Sequence, residues 1–249
     1  MHAHRSSLIF VFGMVVVALA VATPFRAGAG PTPTVVGDPF TPPPAPADMV
    51  VLYDQYNSPG EPPNAVASQN FEALYDIYDC EVGDDFVIPG SDSWRIELVE
   101  VDGNYSPGGG PARSVNVSFY TNDNVSGLPG NPICTFADLA FVDVAGDFTI
   151  PVPNPCCLTA GTYWLVVQVN MDFDPTGQWF WEDRVVQSNE GAAWRNPGDG
   201  FGFSCPTWSR KTTCVDAYPD NFFRLSGTRP CAATPVETTT WGAIKAIYP

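Results

Sequence analysis

Apolar and polar residues alternate in several segments in the middle of the chain, which is the pattern of half-buried β-strands. In the segment 115–120 (VNVSFY), Val, Val and Phe alternate with Asn, Ser and Tyr. Phe148, Ile150 and Val152 repeat this period of two. The segment 161–171 (GTYWLVVQVNM) is apolar on both faces at its start, and we therefore expect it to be a central strand of a sheet.

Further observations specify the fold class. Trp94, Ile96 and Leu98 share one face of a predicted strand, whereas Val99 and Val101 continue the alternation with its phase shifted by one residue, as a β-bulge would produce. Turn sequences rich in Gly, Pro, Asn and Asp separate the predicted strands, and no amphipathic helix of three turns is visible. These patterns predict a single-domain, all-β fold, a two-sheet antiparallel sandwich of the jelly-roll type over residues 48–228.

Both ends of the chain are predicted to lie outside this domain. Residues 1–29 have the features of a secretory signal peptide, with a positive start, an uncharged apolar run and a cleavage site at Ala27-Gly28-Ala29. Residues 30–47 form a proline-rich leader, which favours a polyproline II spacer or, alternatively, an irregular arm packed on the domain. Residues 229–240 are predicted to be a linker. Residues 241–249 (WGAIKAIYP) are predicted to be a short apolar tail that either serves sorting or docking or folds back onto the sandwich.

The signal peptide predicts that the mature protein is secreted and lies outside the cell or at its surface. Its apolar core is short for a membrane span of about 20 residues. No later segment is apolar for long enough to cross a bilayer, so we expect no stable membrane span in the mature protein. The formal net charge of −16 makes nucleic acid and anionic membrane surfaces poor partners.

The histidine and lysine content excludes several kinds of catalytic site. His2 and His4 are the two histidines, and both lie in the predicted signal peptide. A mature chain without histidine has no Ser-His-Asp or Cys-His catalysis and no histidine-bound zinc. The two lysines, Lys211 and Lys245, lie in a predicted disulfide loop and in the tail, so neither is expected to be a buried base.

Seven cysteines suit an oxidising compartment, and their spacing does not match a zinc site. Cys205 and Cys214 flank a short loop and are expected to pair. Cys134 is expected to bridge to Cys156 or to Cys157 across a hairpin. Because the number of cysteines is odd, at least one thiol stays free or pairs outside the chain.

Three tryptophans are candidate ligand-binding residues. Alternation in the segment 178–182 (QWFWE) places Trp179 and Trp181 on one face of a strand, where exposed indoles would form a stacking platform for sugar rings. Trp194 lies in a loop rich in Gly and Asn, where it would face a ligand at the rim of the sandwich. For Trp179 and Trp181, the alternative that we favour is burial in the core. For Trp194, it is a tight loop whose ring plugs one end of the sandwich.

Acidic side chains offer a candidate calcium site. Asn170, Asp172 and Asp174 alternate at the end of a predicted strand, and Asp84 and Asp85 form a second acidic pair. Calcium prefers oxygen ligands from carboxylates and carbonyls, and extracellular modules often bind it. The alternatives are a solvated acidic turn for the first set and, for Asp84 or Asp85, hydrogen bonding to local backbone amides.

No catalytic residues are predicted, and we expect that the protein is not an enzyme. Glycoside hydrolysis requires two opposed carboxylates. Glu97, Glu100, Glu182 and Asp183 lie on predicted strands, but the sequence does not bring any two of them together. A nucleophile elbow, a phosphate-binding loop and a dinucleotide-binding motif are all absent from the sequence. Apart from the calcium considered above, no cofactor is expected.

Several motifs occur together in the domain: SQNFEALYDIYDCEVGDDFVIP, WRIELVEVDGNY, SVNVSFY followed by GLPG, LTAGTYWLVVQ, GQWFWEDR, AAWRNPGDGFG followed by CPTW, and FRLSGT. Together they resemble a family of uncharacterised secreted bacterial β-sandwich proteins. The resemblance covers most of residues 54–228. It implies the fold and export from the cell, and it implies no reaction. The terminal WGAIKAIY resembles short tails on exported proteins of some bacteria.

The sequence therefore predicts a secreted, non-catalytic β-sandwich module with a binding or structural role outside the cell or at its surface. The expected partner is an extracellular glycan or another surface component. The alternative is a carbohydrate-binding or carbohydrate-active jelly-roll protein, whether a lectin, a glycosidase or a lyase.

Overall fold

The computed structural model describes residues 34–36, 49–60 and 64–231. Within them the chain forms fifteen β-strands and three short helical segments. The strands are β1 (Thr34–Val36), β2 (Val50–Asp54), β3 (Ala65–Ala67), β4 (Gln69–Asn70), β5 (Glu81–Val101), β6 (Gly103–Tyr105), β7 (Ser114–Asp123), β8 (Leu128–Leu139), β9 (Phe141–Val144), β10 (Asp147–Asn170), β11 (Trp179–Arg184), β12 (Ala193–Arg195), β13 (Ser209–Arg210), β14 (Asp220–Asn221) and β15 (Phe223–Thr228). The helical segments are a 3-10 helix (Ala73–Tyr78), α1 (Phe173–Thr176) and α2 (Lys211–Cys214).

Two long strands, β5 and β10, organise the larger sheet. They pair in antiparallel register from Phe148 opposite Val101 to Val167 opposite Val82. Each strand changes its second partner along its length. β5 pairs with β12 near its start and with β15 near its end, whereas β10 pairs first with β9 and then with β7. β8 extends the sheet beyond β7, β2 extends it beyond β15, and β1 extends it beyond β9.

The phase shift in β5 is a β-bulge. Residues 226–227, which are adjacent on β15, pair with Leu98 and Ile96, so Glu97 is the extra residue of β5. The bulge allows Ile96 and Val99 both to face the core, where both are fully buried. The predicted bulge is therefore confirmed, but it precedes Leu98, which is half-buried and does not share the core face with Ile96.

A smaller sheet forms the second layer. Its central strand, β11, pairs antiparallel with β3, β6 and β14. Aromatic rings from the two sheets meet in the core. Trp179 of β11 stacks on Phe148 of β10 at a ring-centroid distance of 4.9 Å, and Trp181 contacts Phe223 of β15 edge-on at 6.3 Å. The predicted all-β fold with antiparallel sheets in two layers is confirmed, while the jelly-roll connectivity stays a prediction.

The segment predicted as a central strand is the second half of β10, which pairs with β5 on one side and β7 on the other. Leu165 and Val167 face the core. On the other face, Trp164 and Val166 are also buried, although they lie outside the core cluster. The guanidinium carbon of Arg210 lies 5.7 Å from the centre of the Trp164 ring, so the segment around β13 covers this face.

Two described segments that flank the sandwich are joined to the larger sheet. β1 lies within the proline-rich leader and pairs with β9, so the prediction of a spacer is wrong for Thr34–Val36. Cys231 lies in the predicted linker and is disulfide-bonded to Cys157 of β10. The predicted signal peptide and apolar tail lie outside the described residues. Among the residues that are described, no helix is long and apolar enough to cross a membrane.

Candidate functional site

The three candidate ligand-binding tryptophans are core residues. Trp179 and Trp181 are fully buried, and Trp194 is 2% exposed. The indole N–H of Trp179 donates to the backbone carbonyl of Gly146 at 2.8 Å, and that of Trp181 donates to the carbonyl of Phe222 at 2.7 Å. A sugar-stacking role for these rings is therefore wrong, because no face of them is open to a ligand. The favoured alternative, burial in the core, is confirmed.

The candidate calcium residues lie in different surroundings. Asn170 is buried, and its side-chain amide donates to Ser114 and Asn116 of β7 at 2.9 Å each. Asp172 and Asp174 are exposed. Within residues 34–36, 49–60 and 64–231, no three His, Cys, Asp or Glu side chains are grouped as metal ligands. Asn170 thus joins β10 to β7, and calcium binding at this turn stays an untested prediction.

The described chain contains three disulfides: Cys134–Cys156, Cys157–Cys231 and Cys205–Cys214. Both predicted bridges are confirmed, and Cys156 is the partner of Cys134. Cys80 is free and fully buried. Burial raises the pKa of the Cys80 thiol, so this group has little thiolate character.

A cluster of charged and amide side chains joins the two sheets. It consists of Asp84 of β5, Asp183 of β11, Lys211 of α2, and Asp220 and Asn221 of β14, and we term it the buried charge cluster. None of the five residues is more than 1% exposed. Burial of charges is strongly unfavourable unless they are paired and hydrogen-bonded, so the contacts within the cluster determine whether it is tolerated.

Lys211 lies at the centre of the buried charge cluster. Its Nζ donates to Asp183 Oδ1 at 2.7 Å, to Asn221 Oδ1 at 2.7 Å and to the backbone carbonyl of Asp220 at 2.9 Å. All three ammonium hydrogens therefore have an acceptor. The expectation that Lys211 is not buried is wrong, because the loop closed by Cys205 and Cys214 folds α2 inward onto these acceptors.

Asp84 is the member of the cluster contributed by the larger sheet. Its Oδ2 accepts hydrogen bonds from Gln55 Nε2 at 2.6 Å and from the backbone N–H of Asn221 at 2.7 Å. Burial, together with the nearby charge of Asp220, raises the pKa of Asp84 well above its usual range. Burial also raises the pKa values of Asp183 and Asp220. A protonated carboxyl in this group reduces the number of buried charges.

The second oxygens of two carboxyl groups in the cluster have no partner. Asp220 Oδ2 pairs with Arg184 at 3.0 Å, and Asp183 Oδ1 pairs with Lys211. Asp220 Oδ1 and Asp183 Oδ2 are buried without a hydrogen bond. These two oxygens are sites where a proton would relieve the burial of negative charge.

Asp85, the next residue of β5, has its own partners. Its carboxylate accepts hydrogen bonds from the backbone N–H groups of Glu190 and Gly191, each at 3.1 Å. Burial raises the pKa of Asp85 to about 7. Hydrogen bonding of Asp84 and Asp85 to backbone amides is thus confirmed. One of these amides is local, since Asp84 Oδ1 accepts from the backbone N–H of Asp85 at 2.8 Å, while the others lie 105 to 137 positions away in the chain.

A shallow groove crosses the face of the larger sheet that points away from the core, and we term it the outer groove. Its volume is about 240 Å³, and it spans the adjacent strands β8, β7, β10 and β5. Its lining includes Glu81, Asn116, Ser118, Tyr120, Val166 and Gln168. On β7, the lining residues are Asn116, Ser118 and Tyr120, which alternate with the core residues of that strand.

Amide and carboxylate groups line the floor of the outer groove. Asn116 Nδ2 donates to Gln168 Oε1 at 3.3 Å, and Gln168 Nε2 donates to the backbone carbonyl of Cys80 at 3.1 Å. The carboxylate of Glu81 is paired with the guanidinium of Arg195. Asn116 is satisfied within the protein, since its amide also exchanges hydrogen bonds with Asn170 and accepts from the backbone N–H of Asp138. Gln168 and Glu81 are half-buried and have hydrogen-bonding capacity left for a ligand.

Aromatic rings stand at one end of the outer groove. Tyr120 is half-buried and lies edge-on to Trp208 at a ring-centroid distance of 6.1 Å. The guanidinium carbon of Arg195 lies 4.4 Å from the centre of the Trp208 ring, which holds that ring in place. Aromatic surface beside fixed polar groups is the usual composition of a small-ligand site.

The four carboxylates weighed as a glycosidase pair each have a separate partner. The pairs are Glu97 with Arg95, Glu100 with Arg224, Glu182 with Asn104, and Asp183 with Lys211. Asp183 belongs to the buried charge cluster, whereas the other three are half-buried on their strands.

Comparisons of this chain with known protein families, with curated proteins and with solved structures found no match. The function is therefore inferred from the fold, the outer groove and the buried charge cluster.

Neither site was identified from the sequence. The alternation in β7 did indicate that Asn116, Ser118 and Tyr120 share the face opposite the core, and that polar face was the available signal for the groove. No comparable signal existed for Lys211, because its burial depends on partners from β11 and β14.

Proposed function

We propose that the protein is a non-catalytic β-sandwich module that acts outside the cell and binds a glycan chain in the outer groove. The groove is the observation that carries this proposal, since it places Tyr120 beside the amide of Gln168 and the carboxylate of Glu81. An aromatic ring packs against the apolar face of a sugar, and amides exchange hydrogen bonds with its hydroxyl groups.

The size of the groove favours a polymeric ligand. Pockets for small molecules commonly have volumes of about 300 to 1,000 Å³, whereas the outer groove has about 240 Å³ and is open to solvent. It therefore suits one part of a chain that continues across the surface of the sheet.

The charge of the protein favours a neutral glycan. The formal net charge is −16, which repels sulfated and uronic-acid polymers at low ionic strength. In the groove itself, the carboxylate of Glu81 is already paired with Arg195, so no free cation among its lining residues awaits an anionic ligand.

Binding without hydrolysis agrees with the groove's chemistry. Retaining and inverting glycosidases generally use two carboxyl groups across the scissile bond. Glu81 is the one carboxylate among the described residues that line the groove. The three disulfides support a site of action in an oxidising compartment.

The test is a binding screen of the purified protein against neutral and anionic polysaccharides, followed by affinity measurement on the strongest ligand. We expect binding to a neutral polymer and a loss of at least tenfold in affinity for Tyr120→Ala, which is about 1.4 kcal/mol. Gln168→Ala should also weaken binding. Tyr75→Ala is the matched control, because Tyr75 is a half-buried tyrosine outside the groove.

Equal affinity of Tyr120→Ala and the unmodified protein would place the ligand elsewhere and refute the assignment of the groove. A preference for sulfated over neutral polymers would contradict the electrostatic argument. Release of reducing sugar from a bound polymer would overturn the non-catalytic assignment.

A further inference from the structure

Three side chains of the buried charge cluster are arranged as an amine, an amide and a carboxyl group in mutual contact. Lys211 Nζ lies 2.7 Å from Asn221 Oδ1 and 2.7 Å from Asp183 Oδ1. Asp183 Oδ1 also accepts a hydrogen bond from Asn221 Nδ2 at 3.2 Å. One carboxyl oxygen therefore touches both the amine and the amide nitrogen, while the amine touches the amide oxygen.

The orientation of the Asn221 amide is determined by its surroundings. Its Nδ2 donates to the backbone carbonyls of Trp181 at 3.2 Å and Glu182 at 3.1 Å, as well as to Asp183. Its oxygen must then point toward Lys211, which has only donors to offer. The amide carbon is one C=O bond, about 1.2 Å, from that oxygen, so the amine lies beside the carbon that it would attack.

We propose that Lys211 and Asn221 become joined by an intramolecular amide bond, with Asp183 carrying the proton between them. Asp183 Oδ1 takes a proton from the Lys211 ammonium, and the freed lone pair on Nζ attacks Asn221 Cγ. A C–N bond forms between Nζ and Cγ, and the bond between Cγ and Nδ2 breaks. Nδ2 leaves as ammonia with the proton returned by Asp183. Of the two protons left on Nζ, one goes to this ammonia to give ammonium, and the other stays on the new amide nitrogen. The reaction consumes no oxidant, reductant or cofactor.

The burial of the three groups favours this reaction. Lys211 and Asn221 are fully buried and Asp183 is 1% exposed, so water does not compete with the amine as nucleophile. Holding the reactants in contact replaces a bimolecular step by an intramolecular one. Burial raises the pKa of Asp183, which suits a group that must accept a proton. Its second oxygen, Oδ2, has no other partner.

Asn221, and not Asp183, is assigned as the electrophile. Asp183 is the group that contacts both Lys211 Nζ and Asn221 Nδ2, and attack on Asp183 itself would remove the one carboxyl group in that position. Of the other two carboxyl groups in the cluster, Asp84 is engaged by Gln55 and by the backbone N–H of Asn221, and Asp220 is paired with Arg184.

The bond would join the two sheets covalently. Lys211 begins α2, directly after β13, which pairs with β12 of the larger sheet. Asn221 lies in β14, which pairs with β11 of the smaller sheet. The disulfide Cys205–Cys214 closes the loop that carries Lys211, so this loop would be restrained by both the disulfide and the amide bond.

Mass spectrometry of the folded, full-length protein tests this proposal. The protein is denatured, reduced, alkylated and digested with trypsin, which does not cut after a lysine whose side chain is an amide. We expect the peptide 211–224, uncut after Lys211, closed into a ring by the link to Asn221 and lower in mass by one ammonia. Further cleavage before Asp216 with an Asp-specific protease opens the ring to a branched peptide whose fragment ions link Lys211 to Asn221. Fragment-ion localisation is required, because cyclisation of an asparagine to a succinimide also releases ammonia.

Substitutions assign the roles. Asp183→Asn preserves the size of the side chain but does not accept a proton, and it should abolish the crosslink; retention of native near-ultraviolet circular dichroism shows that the variant is folded. Asp172→Asn, an exposed position, is the control and should keep the crosslink. If Asp183→Asn does not fold, the unmodified protein still decides the question.

Cleavage after Lys211, with Asn221 recovered in the peptide 212–224 at unchanged mass, would overturn the proposal. A link from Lys211 to Asp183, with loss of water, would overturn the assignment of Asn221. A crosslink that persists in folded Asp183→Asn would overturn the role of Asp183.

Discussion

Cys157 is disulfide-bonded to Cys231, whereas its neighbour Cys156 is bonded to Cys134. The two adjacent cysteines lie on β10, where successive side chains point to opposite faces. Cys156 is 1% exposed and belongs to the core, and Cys157 is on the exposed side. Strand geometry thus gives each cysteine a different partner, and Cys157 attaches the end of the described chain to the centre of the larger sheet.

We expect removal of the Cys157–Cys231 bridge to be more destabilising than removal of Cys205–Cys214. The two bridges span 74 and 9 residues, and the chain-entropy model gives a larger effect for the longer loop. The difference in the free energy of unfolding should be about 2 kcal/mol between the two double Cys→Ser variants. Urea denaturation of both variants measures it. A larger loss for the shorter loop would show that native contacts, and not loop entropy, dominate.

Cys80 should be unreactive in the folded protein. Burial raises the pKa of its thiol and excludes reagents from it. Titration with a thiol reagent should detect no free thiol in the native state and one per chain after unfolding without reductant. Cys80→Ser serves as the control and should show none in either state. Rapid labelling of the native protein at Cys80 would contradict its burial.

Because of Asp85, the free energy of unfolding should fall as the pH rises from about 4 to about 7. The pKa of Asp85 is raised by burial from 3.8 to about 7, so the folded chain keeps a proton that the unfolded chain releases in this range. Fewer protons bound in the unfolded state means that stability falls with increasing pH. The effect is fully present at low pH and is lost on passing about pH 7, with a magnitude on the order of 1 to 4 kcal/mol.

Asp85→Asn isolates this contribution, because an amide oxygen still accepts hydrogen bonds from Glu190 and Gly191. The free energy of unfolding of the variant, minus that of the unmodified protein, should be more positive at pH 8 than at pH 4. Urea denaturation at a series of pH values gives the difference. The control is Asp172→Asn, at an exposed position. Parallel pH profiles for Asp85→Asn and the unmodified protein would refute the raised pKa.

Trp179 should contribute to the stability of the fold and not to ligand binding. It is fully buried, stacks on Phe148 and donates a hydrogen bond to Gly146. Trp179→Ala should lower the free energy of unfolding by about 3 to 5 kcal/mol. Trp208→Ala should lower it by less than half as much, because Trp208 is only half-buried. Equal effects in denaturation experiments would contradict this difference in burial.

The predictability of the two candidate sites follows from the range of their contacts. The polar face of the outer groove on β7 comes from local alternation, which the sequence displays. Lys211 is different, because its three acceptors come from Asp183, Asp220 and Asn221 on β11 and β14. An exposed lysine and a buried one look alike until the strands that supply those acceptors are placed around it.

The sequence by itself determined the all-β class, the presence of a bulge in β5 and the Cys205–Cys214 bridge. These features depend on the period of apolar residues and on short separations along the chain, both of which are local. Only the tertiary structure decided that Trp179 and Trp181 are buried, that Cys157 pairs with Cys231, and that the buried charge cluster exists. Burial and pairing over such distances depend on which strands become neighbours, and that is set by the packing of the whole chain.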